Sequence, residues 1–302
     1  MKIFVTGATG FIGRAAVADL QSRGHQIVAW VRSANRARDL LGHEPTLIGP
    51  NPTREDIRKH LEICDAVLNL SGKPIVGVRW TASNKKEFWD SRVGVTSVIS
   101  EEITQCQSPP SCFVSASAVG YYGDMGDSIL TEESAAGHGY PSELCREWEN
   151  AALSGSGKDT RVCILRLGMV IGREGGILSL LAPLFKIGLG AYIGNGQQYV
   201  PWIHLLDVIR IIVGCIEESK FKGVFNCTAP NPVRARDFSL QLGAATNSKL
   251  MLRVPSVIPR LFIGQAGAHL NSSQRVTPYR LQENGVRFIF EQIRTALEYE
   301  YT

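Results

Sequence analysis

The sequence predicts an α/β fold, a doubly wound parallel sheet completed by a smaller C-terminal lobe. Two observations lead to it. Over the first 172 residues short apolar strands alternate with helical segments, and a glycine-rich turn joins the first strand to the first helix. Such alternation gives parallel strands joined by right-handed crossovers. Beyond residue 172 the alternation loosens. We therefore expect one domain over 1–172 and a smaller lobe over 173–302, with some strands returning to the main sheet.

Each element of the first half follows from a local pattern. Short β-branched and apolar runs bounded by turn residues indicate strands, and they lie at 2–6, 26–31, 46–48, 66–70, 112–115 and 161–166. Apolar residues at helical spacing indicate helices, and they lie at 11–23, 36–41, 54–63, 84–104 and 143–152. In the second half, the segment 188–196 carries four glycines in nine residues and is predicted to be a loop.

Composition and charge exclude several classes of protein. The chain has 302 residues, a formal net charge of +4, 44% hydrophobic and 20% charged residues, which is ordinary globular composition. A nucleic-acid-binding protein would concentrate basic residues on one face, so no nucleic-acid partner is expected. The sequence contains no apolar run of about 18 residues, so no membrane span is expected. Seven scattered cysteines without a Cys-x-x-Cys pair suggest neither disulfides nor a metal site. We expect a reducing, cytoplasmic compartment.

The first chemical signal is the turn Thr6-Gly7-Ala8-Thr9-Gly10-Phe11-Ile12-Gly13, between a predicted strand and a predicted helix. In Rossmann-type folds such a turn binds a dinucleotide. Gly7 would make the tight turn, Gly10 would let a pyrophosphate approach the backbone, and Gly13 would let helix and strand pack closely. The start of the helix supplies free N–H groups and a positive dipole end. The alternative is a glycine-rich turn without a ligand.

The residues after the second strand favour NADP(H) over NAD(H). An acidic residue there would bind the 2′-hydroxyl of NAD, but the strand is followed by Arg32-Ser33, with Arg36 and Arg38 close by. A guanidinium group matches a 2′-phosphate, which a carboxylate would repel. The alternative is that Arg32 is a solvated residue at a strand end.

Several segments beyond the glycine turn add to this pattern. They are Asn69-Leu70-Ser71-Gly72, Arg79-Trp80, Ser91-Arg92, Ser115-Ala116-Ser117-Ala118-Val119-Gly120-Tyr121-Tyr122-Gly123, Trp148-Glu149, Arg166-Leu167-Gly168 and Pro201-Trp202-Ile203-His204. With the turn, they resemble the NAD(P)-dependent epimerase/dehydratase-like family of extended short-chain dehydrogenases/reductases, in particular its SDR39U1-type group. Residues 254–297 resemble the DUF1731-like C-terminal domain of that group. The resemblance covers nearly the whole chain and implies a Rossmann-type domain with a smaller C-terminal substrate lobe.

The resemblance also implies which residues hold the cofactor. Three sets are expected to contact the phosphates and the adenosine half: Gly7, Thr9, Gly10, Phe11, Ile12 and Gly13 at the pyrophosphate, Arg32 and Ser33 at the 2′-phosphate, and Leu70, Ser71 and Gly72 along the ribose. The segments 115–117 and 166–169, with Ser115, Arg166 and Met169, are expected near the nicotinamide half. Arg166 could instead pair with an acid.

The catalytic pair of the superfamily is absent. Its members use a Tyr followed four residues later by a Lys that holds the nicotinamide ribose and lowers the Tyr pKa, while the Tyr moves the proton that balances hydride transfer. No Tyr in this sequence is followed four residues later by Lys. Matching Glu149 to the family pattern places Pro141 at the Tyr position and Cys145 at the Lys position. Neither residue can replace its counterpart.

Five residues, Cys145 among them, are still candidates for a non-standard catalytic role, each with a structural alternative. Tyr121 or Tyr122 could donate the proton and Ser117 could orient the substrate, unless the two tyrosines only pack the loop. Cys145 could be a thiol near the cofactor or a small buried residue. His204 could be a second acid or base, or a structural histidine bonded to backbone.

Two functions remain open. The first is an NADP-dependent oxidoreductase or epimerase-like enzyme, which acts on an unidentified small molecule through a non-standard proton donor. The second is a non-catalytic NADP(H)-binding protein, a redox sensor or regulator that acts through a partner. A homodimer is possible under either function, because dimers are common in the superfamily.

Overall fold

The structure, a computed structural model, describes residues 1–157 and 159–301. Its strands are β1 (Lys2–Thr6), β2 (Gln26–Trp30), β3 (Thr46–Ile48), β4 (Ala66–Asn69), β5 (Cys112–Ala118), β6 (Ile129–Leu130), β7 (Arg161–Leu167), β8 (Met169–Ile171), β9 (Leu189–Ile193), β10 (Tyr199–Val200), β11 (Trp202–His204), β12 (Gly223–Cys227), β13 (Val233–Arg234), β14 (Leu250–Val254) and β15 (Arg275–Val276).

The helices complete this framework. They are α1 (Phe11–Ser22), α2 (Ala34–Leu41), α3 (Arg54–Glu62), α4 (Ala82–Trp89), α5 (Val95–Gln105), α6 (Tyr140–Leu153), α7 (Gly176–Lys186), α8 (Leu205–Glu217), α9 (Ala235–Ala245), α10 (Val257–Ile263), α11 (Gln265–His269), α12 (Tyr279–Glu283) and α13 (Ile293–Tyr301). A π-helical turn (Asp90–Gly94) joins α4 to α5, and a 3₁₀ turn (Val119–Tyr122) follows β5.

The central sheet has seven strands in the order β12-β7-β5-β4-β1-β2-β3, and every neighbouring pair is parallel. The chain leaves β1 toward β2 on one side and later returns to its other side at β4. This reversal is the topological switch point, and open α/β sheets bind ligands outside the carboxyl ends of their strands there. The predicted α/β, Rossmann-type, doubly wound fold is confirmed.

Both faces of the sheet are covered because its strands are apolar on both sides. In β1, Ile3 and Val5 belong to one core cluster, with α1 and α8, whereas Phe4 belongs to another, with α3 and α5. Side chains alternate across a strand, so one short segment contributes to two cores. A continuous apolar run is typical of such buried parallel strands.

The segment 188–196, predicted to be a loop, contains strand β9, and that prediction is wrong. β9 pairs with β14 in parallel, from Leu189 opposite Leu250 to Ile193 opposite Val254. Three of the glycines have positive φ and flank the strand, at 188, 194 and 196. Gly190 lies inside it, where a Cβ would come within 2.8 Å of Met251 Cε. The glycines therefore bound a strand whose partner lies far along the chain.

Two other boundaries differ from expectation. The helix predicted over 84–104 is interrupted by the π-helical turn, which carries Arg92. Strand β5 extends to Ala118, so Ser117 lies within the strand rather than beyond it. β12 forms the edge of the main sheet beside β7, while the division at residue 172 stays a prediction. None of the described helices is both long and apolar enough to cross a membrane.

Candidate functional site

The glycine turn has a shape that side chains would not allow. Gly7 has φ +70°, and a Cβ on it would lie 2.4 Å from the carbonyl oxygen of Leu70. A Cβ on Gly13 would lie 2.1 Å from the carbonyl oxygen of Gly7. Gly10 differs, because its φ is −78° and a Cβ would meet only the Gly7 oxygen, at 3.1 Å. The fold itself thus requires Gly7 and Gly13, whereas the exposed Gly10 keeps the outer side of the turn open.

Helix α1 begins at this turn, and no side chain caps its first N–H groups. Gly10 is the N-cap without a side-chain hydrogen bond, and the first turn contains no acidic residue. Thr9 and Ile12 are half-buried beside it. The ring of Phe11 packs against the backbone after β8, where a Cβ on Gly172 or Gly175 would come within 2.7 Å or 2.5 Å of it. The helix start is therefore fixed in place and has the polarity that suits an anion.

Basic residues surround the start of α2, directly after β2. Arg32 and Ser33 are exposed, and the Ser33 hydroxyl accepts a hydrogen bond from Arg36 N at 3.4 Å, which caps the helix. Within the described part of the chain, Arg32, Arg36 and Arg38 form no ion pair with a carboxylate. Arg32 and Arg36 lie at the start of α2, whereas Arg38 lies in its last turn. The two exposed guanidinium groups at the start, beside the helix N-terminus, fit a phosphate.

A buried amide joins the carboxyl ends of β1 and β4 to the middle of β5 and to α5. Asn69 Nδ2 donates to Thr96 Oγ1 at 2.7 Å and to Ser115 Oγ at 3.1 Å, while Asn69 Oδ1 accepts from Thr6 Oγ1 at 2.6 Å. Ser71 Oγ donates to Thr6 Oγ1 at 2.7 Å. The segment after β4, with Leu70 and Gly72, is thereby held against the glycine turn.

A second buried network lies behind the expected nicotinamide region. Arg166, 3% exposed, forms a bidentate pair with Glu149, with both N–O distances 2.8 Å. Ser117 Oγ donates to Glu149 Oε1 at 2.7 Å. Arg166 Nη1 donates to the Tyr122 hydroxyl at 2.8 Å, and that hydroxyl donates to Asn226 Oδ1 at 2.7 Å. Burial raises the pKa of Tyr122 to about 12. The polar atoms of Ser117, Tyr122 and Arg166 are therefore engaged with protein groups.

Tyr121 is the candidate whose hydroxyl is not engaged. It is half-buried, and among the described residues its hydroxyl forms no hydrogen bond. Its ring lies over the Arg166 guanidinium, with the centroid 3.4 Å from Cζ, and meets the Tyr122 ring edge-on at 5.3 Å. The cation and the neighbouring ring hold Tyr121 in place while its hydroxyl stays available.

Cys145 lies on α6 and faces the 3₁₀ turn, where a Cβ on Gly120 would come 3.6 Å from its Sγ. It is 5% exposed, and burial raises the pKa of its thiol to about 12. A thiol with this pKa is neutral near pH 7 and carries no charge that could replace an ammonium group. Met169 is half-buried on β8, opposite Trp202 of β11.

His204 joins α8 to the C-terminal helix. Its Nδ1 accepts from Leu206 N at 3.2 Å and caps α8, so Nε2 carries the proton that it shares with Glu300 Oε1 at 2.7 Å. The ring is 1% exposed and packs on Phe290, with centroids 4.1 Å apart. In the residues that the structure describes, it forms no hydrogen bond with the Glu149–Arg166 network.

The structure therefore brings Ser117, Tyr121, Tyr122, Cys145 and Arg166 together and leaves His204 apart. The sequence analysis used Glu149 only to match a pattern and missed its pairing. A lone acid among the apolar positions of a helix is the signal that could have indicated a buried partner. Asn69 and Arg92 entered the sequence analysis only within segments of the family resemblance, and neither was assigned a role there.

Comparison with known proteins gives two regions of similarity. Residues 3–228 match the NAD dependent epimerase/dehydratase family, and residues 254–300 match a domain of unknown function, DUF1731. The chloroplastic SDR39U1 homolog of Arabidopsis thaliana is 36% identical over 301 residues, covering 98% of this chain and 86% of its own. The human epimerase family protein SDR39U1 is 32% identical, with 99% of both chains covered.

Two solved structures have folds similar to that of this chain. The crystal structure of the human protein SDR39U1 (isoform 2) with NADPH superposes with a TM-score of 0.90 at 31% identity, over 100% of this chain and 99% of that one. The UDP-N-acetylglucosamine 4-epimerase of Bacillus cereus has a TM-score of 0.78 at 18% identity, over 100% of this chain and 98% of that one. The second likeness concerns the fold alone.

Proposed function

The chain belongs to the NAD dependent epimerase/dehydratase family, and from that premise we propose that it binds NADP(H) and moves a hydride to or from a small-molecule substrate. The observation that carries the proposal is the turn of Gly7, Gly10 and Gly13 at the switch point of the sheet. NADPH in the crystal structure of a relative at 31% identity supports the cofactor. Residues 173–302 would supply the substrate lobe. The cytoplasmic location stays a prediction.

The residues of the cleft would each do one part of the binding. The N–H groups at the start of α1 would bind the pyrophosphate, which approaches past Gly10. Arg32, with Arg36, would bind the 2′-phosphate, and Ser33 would orient it from the start of α2. When bound, the nicotinamide supplies the hydride donor or acceptor. The polar network of Asn69 would hold the segment along the ribose.

Tyr121 would hold and pass the proton that balances hydride transfer. Pro141 and Cys145 occupy the usual positions and cannot do so, and Ser117 and Tyr122 donate to protein acceptors. The Tyr121 hydroxyl has no such bond among the described residues, and its ring is fixed over Arg166. Arg166 would act as a positioning residue, since its own N–H groups are taken by Glu149 and Tyr122.

A second function is favoured by one specific observation. Ser117, the expected orienting hydroxyl, is 1% exposed and turned toward Glu149. A chain that keeps the cofactor turn but buries this hydroxyl would suit a non-catalytic NADP(H) sensor, which signals through a partner. The two functions share the cofactor and differ in turnover.

The cofactor part is tested by Arg32→Ala. The affinities for NADPH and NADH are measured by the fluorescence of the reduced cofactor. We expect NADPH to bind about tenfold more weakly or worse, because a charge-assisted hydrogen bond to phosphate is lost, and NADH to be unaffected. Arg23→Ala, at the far end of α1, is the matched control and should change neither affinity. Equal losses for both cofactors in Arg32→Ala would contradict the assignment of Arg32.

The catalytic part is tested by turnover. NADPH oxidation and NADP⁺ reduction are followed with panels of carbonyl compounds, alcohols and nucleotide sugars. Tyr121→Phe should abolish any activity found, with the NADPH affinity and melting temperature unchanged. Tyr279→Phe, which removes an exposed hydroxyl bonded to Glu283, should keep full activity. Tight NADPH binding without turnover on any panel would favour the sensor.

A further inference from the structure

Arg92 occupies an unusual position at the mouth of the cleft. It lies in the π-helical turn between α4 and α5 and is half-buried. Its guanidinium lies flat against the end of β4, where a Cβ on Gly72 would come 3.1 Å from both Cζ and Nη2. The Trp148 ring is also close, with its centroid 5.3 Å from Cζ. The charge thus lies close to both the segment expected along the cofactor and helix α6.

The surroundings of Arg92 leave most of its donors unused. In the described part of the chain no carboxylate lies within 4.0 Å of it, and its one hydrogen bond is a long contact from Nη1 to Phe88 O, at 3.5 Å. Burial lowers the pKa of Arg92. Arg166, in contrast, has a carboxylate and a phenol as acceptors. A half-buried cation with a single long hydrogen bond is costly, unless a ligand supplies further acceptors.

The backbone that carries Arg92 is anchored. Ser91 Oγ accepts a hydrogen bond from Lys73 N at 3.0 Å, which ties the π-helical turn to the residue after Gly72. Single π-helical turns inside α-helices are frequent at functional sites because they change the direction of one side chain. The turn and the tie together fix the direction in which Arg92 projects.

Arg92 also lies beside the residue at the position of the missing lysine. Its charge acts on the Cys145 thiol and the Tyr140 hydroxyl, both on α6. We propose, on the basis of the proposed function, that Arg92 binds the ribose hydroxyls of the nicotinamide half of NADP(H). In this arrangement the cation that Cys145 cannot supply comes from the π-helical turn between α4 and α5. Guanidinium groups suit this task because their planar N–H groups can donate to two adjacent oxygens.

The test is a comparison of three ligands of increasing length. 2′,5′-ADP contains the 2′-phosphate but neither the second phosphate of the pyrophosphate nor the second ribose, 2′-phospho-ADP-ribose adds both, and NADPH adds the nicotinamide. For Arg92→Ala, calorimetry should show about tenfold weaker binding of the two longer ligands and unchanged binding of 2′,5′-ADP. Arg146→Ala, an exposed arginine of α6, is the matched control and should leave all three affinities unchanged.

Other outcomes overturn the inference. Unchanged affinity for all three ligands would show that Arg92 does not contact the cofactor and would redirect attention to an anionic substrate group. Equally weakened binding of all three ligands would also contradict the inference, since 2′,5′-ADP lacks the second ribose. If the wild-type chain binds none of them, the proposed function fails as well, whereas wild-type binding without any effect of Arg92→Ala overturns this inference alone.

Stability separates binding from a purely structural role. Because Arg92 has no counter-ion among the described residues, removing it should not lower the melting temperature of the ligand-free protein, and the stabilisation by NADPH should shrink. Arg92→Lys, which keeps the charge but not the planar fork, should bind the two longer ligands with intermediate affinity. If Arg92→Ala lowers the melting temperature of the ligand-free protein but NADPH still stabilises it as much as the wild type, the role of Arg92 is structural and the inference is contradicted. If Arg92→Ala does not fold, the lysine variant carries the ligand comparison.

Discussion

Glu149 is the residue on which the interior of the cleft depends. Its two carboxylate oxygens accept from Arg166, and one of them also accepts from Ser117, so a single side chain of α6 organises β5 and β7. Arg166 in turn fixes both tyrosines, Tyr121 by its charge and Tyr122 by a hydrogen bond. Removing one partner of a buried ion pair leaves an uncompensated charge, which costs far more than the pair contributes.

We therefore expect Glu149→Gln to lower the free energy of unfolding by about 3 kcal/mol. The measurement is chemical denaturation monitored by circular dichroism. Glu147→Gln is the matched control on the same helix, because Glu147 is only half-buried and, among the described residues, its one ion pair is with Arg146, at 3.7 Å. Its change should stay within about 0.5 kcal/mol. Similar stabilities for the two variants would show that the buried pair is replaceable.

The glycines of the turn should separate folding from binding. In Gly13→Ala the new Cβ would lie 2.1 Å from backbone, so we expect a large loss of stability, about 3 kcal/mol or more. In Gly10→Ala the new Cβ would lie 3.1 Å from the Gly7 carbonyl oxygen, a much milder conflict than in Gly13→Ala, so the loss of stability should be smaller while NADPH affinity falls at least about tenfold. Calorimetry and thermal denaturation of both variants check this. Unchanged NADPH affinity in Gly10→Ala would show that the pyrophosphate does not approach there.

At the scale of elements, helix α13 packs into the core of the second half of the chain. Ile293, Ala296 and Leu297 bury themselves in a cluster with Trp202 and Phe238, and Glu300 reaches His204 at the start of α8. The histidine is thus a cap for one helix and an anchor for another. Its protonation state matters to both contacts.

Stability should fall as the pH drops below about 6.5, in part because of His204. Burial, the main cause, lowers the pKa of His204, and Glu300 only partly opposes it. The histidine side chain has a pKa near 6.5 in an unfolded chain. Below about pH 6.5 the unfolded chain therefore binds a proton that the folded chain does not bind, and the free energy of unfolding decreases. Above about pH 6.5 both states are neutral and this contribution is constant.

His204→Asn tests this argument, because Asn can still cap α8 but does not titrate. We expect the loss of stability between about pH 7.5 and about pH 5.5 to be smaller in this variant than in the wild type. The readout is the difference between the two pH profiles from denaturation. His43→Asn is the control, since His43 is exposed, and it should keep the wild-type profile. Parallel profiles for all three proteins would exclude His204 as a source of the dependence.

At the scale of the whole molecule, the two halves differ in how far local sequence determines them. The strand–turn–helix units of the sheet follow from patterns within a few residues, and they were predicted well. β9 needs β14 as a partner, and β6 needs β15. Such pairings join distant segments, so no window of sequence reveals them, and the glycines around β9 were interpreted as a loop.

The candidate site divides in the same way. The glycine turn depends on backbone conformation and could be predicted from residue type alone. The setting of Ser117, Tyr122 and His204 depends on partners from other elements, such as Glu149 and Glu300. Their side chains were expected to face the cleft, and the roles assigned to them stay predictions. The tertiary partners decide which hydroxyl is left available.

A chain ended after residue 292 should show how far the whole depends on its last helix. Losing α13 removes the buried Ile293 and Leu297 and the partner of His204. Burial of two such side chains contributes about 4 kcal/mol, so the melting temperature should fall sharply. Arg294→Ala, which changes an exposed residue of α13, is the control and should change it little. A truncated chain with wild-type melting temperature would show that α13 is dispensable.

The position of β12 at the edge of the sheet has a consequence for synthesis on the ribosome. β7 ends at residue 167, and its outer neighbour β12 begins only at residue 223. At about 5–20 residues per second, roughly 3–11 seconds pass between them. During that time the nascent sheet presents β7 as an open edge, with the N–H and C=O groups that β12 will later pair. An edge of this kind can pair with another chain, so slow translation through residues 168–222 should favour aggregation of the emerging protein.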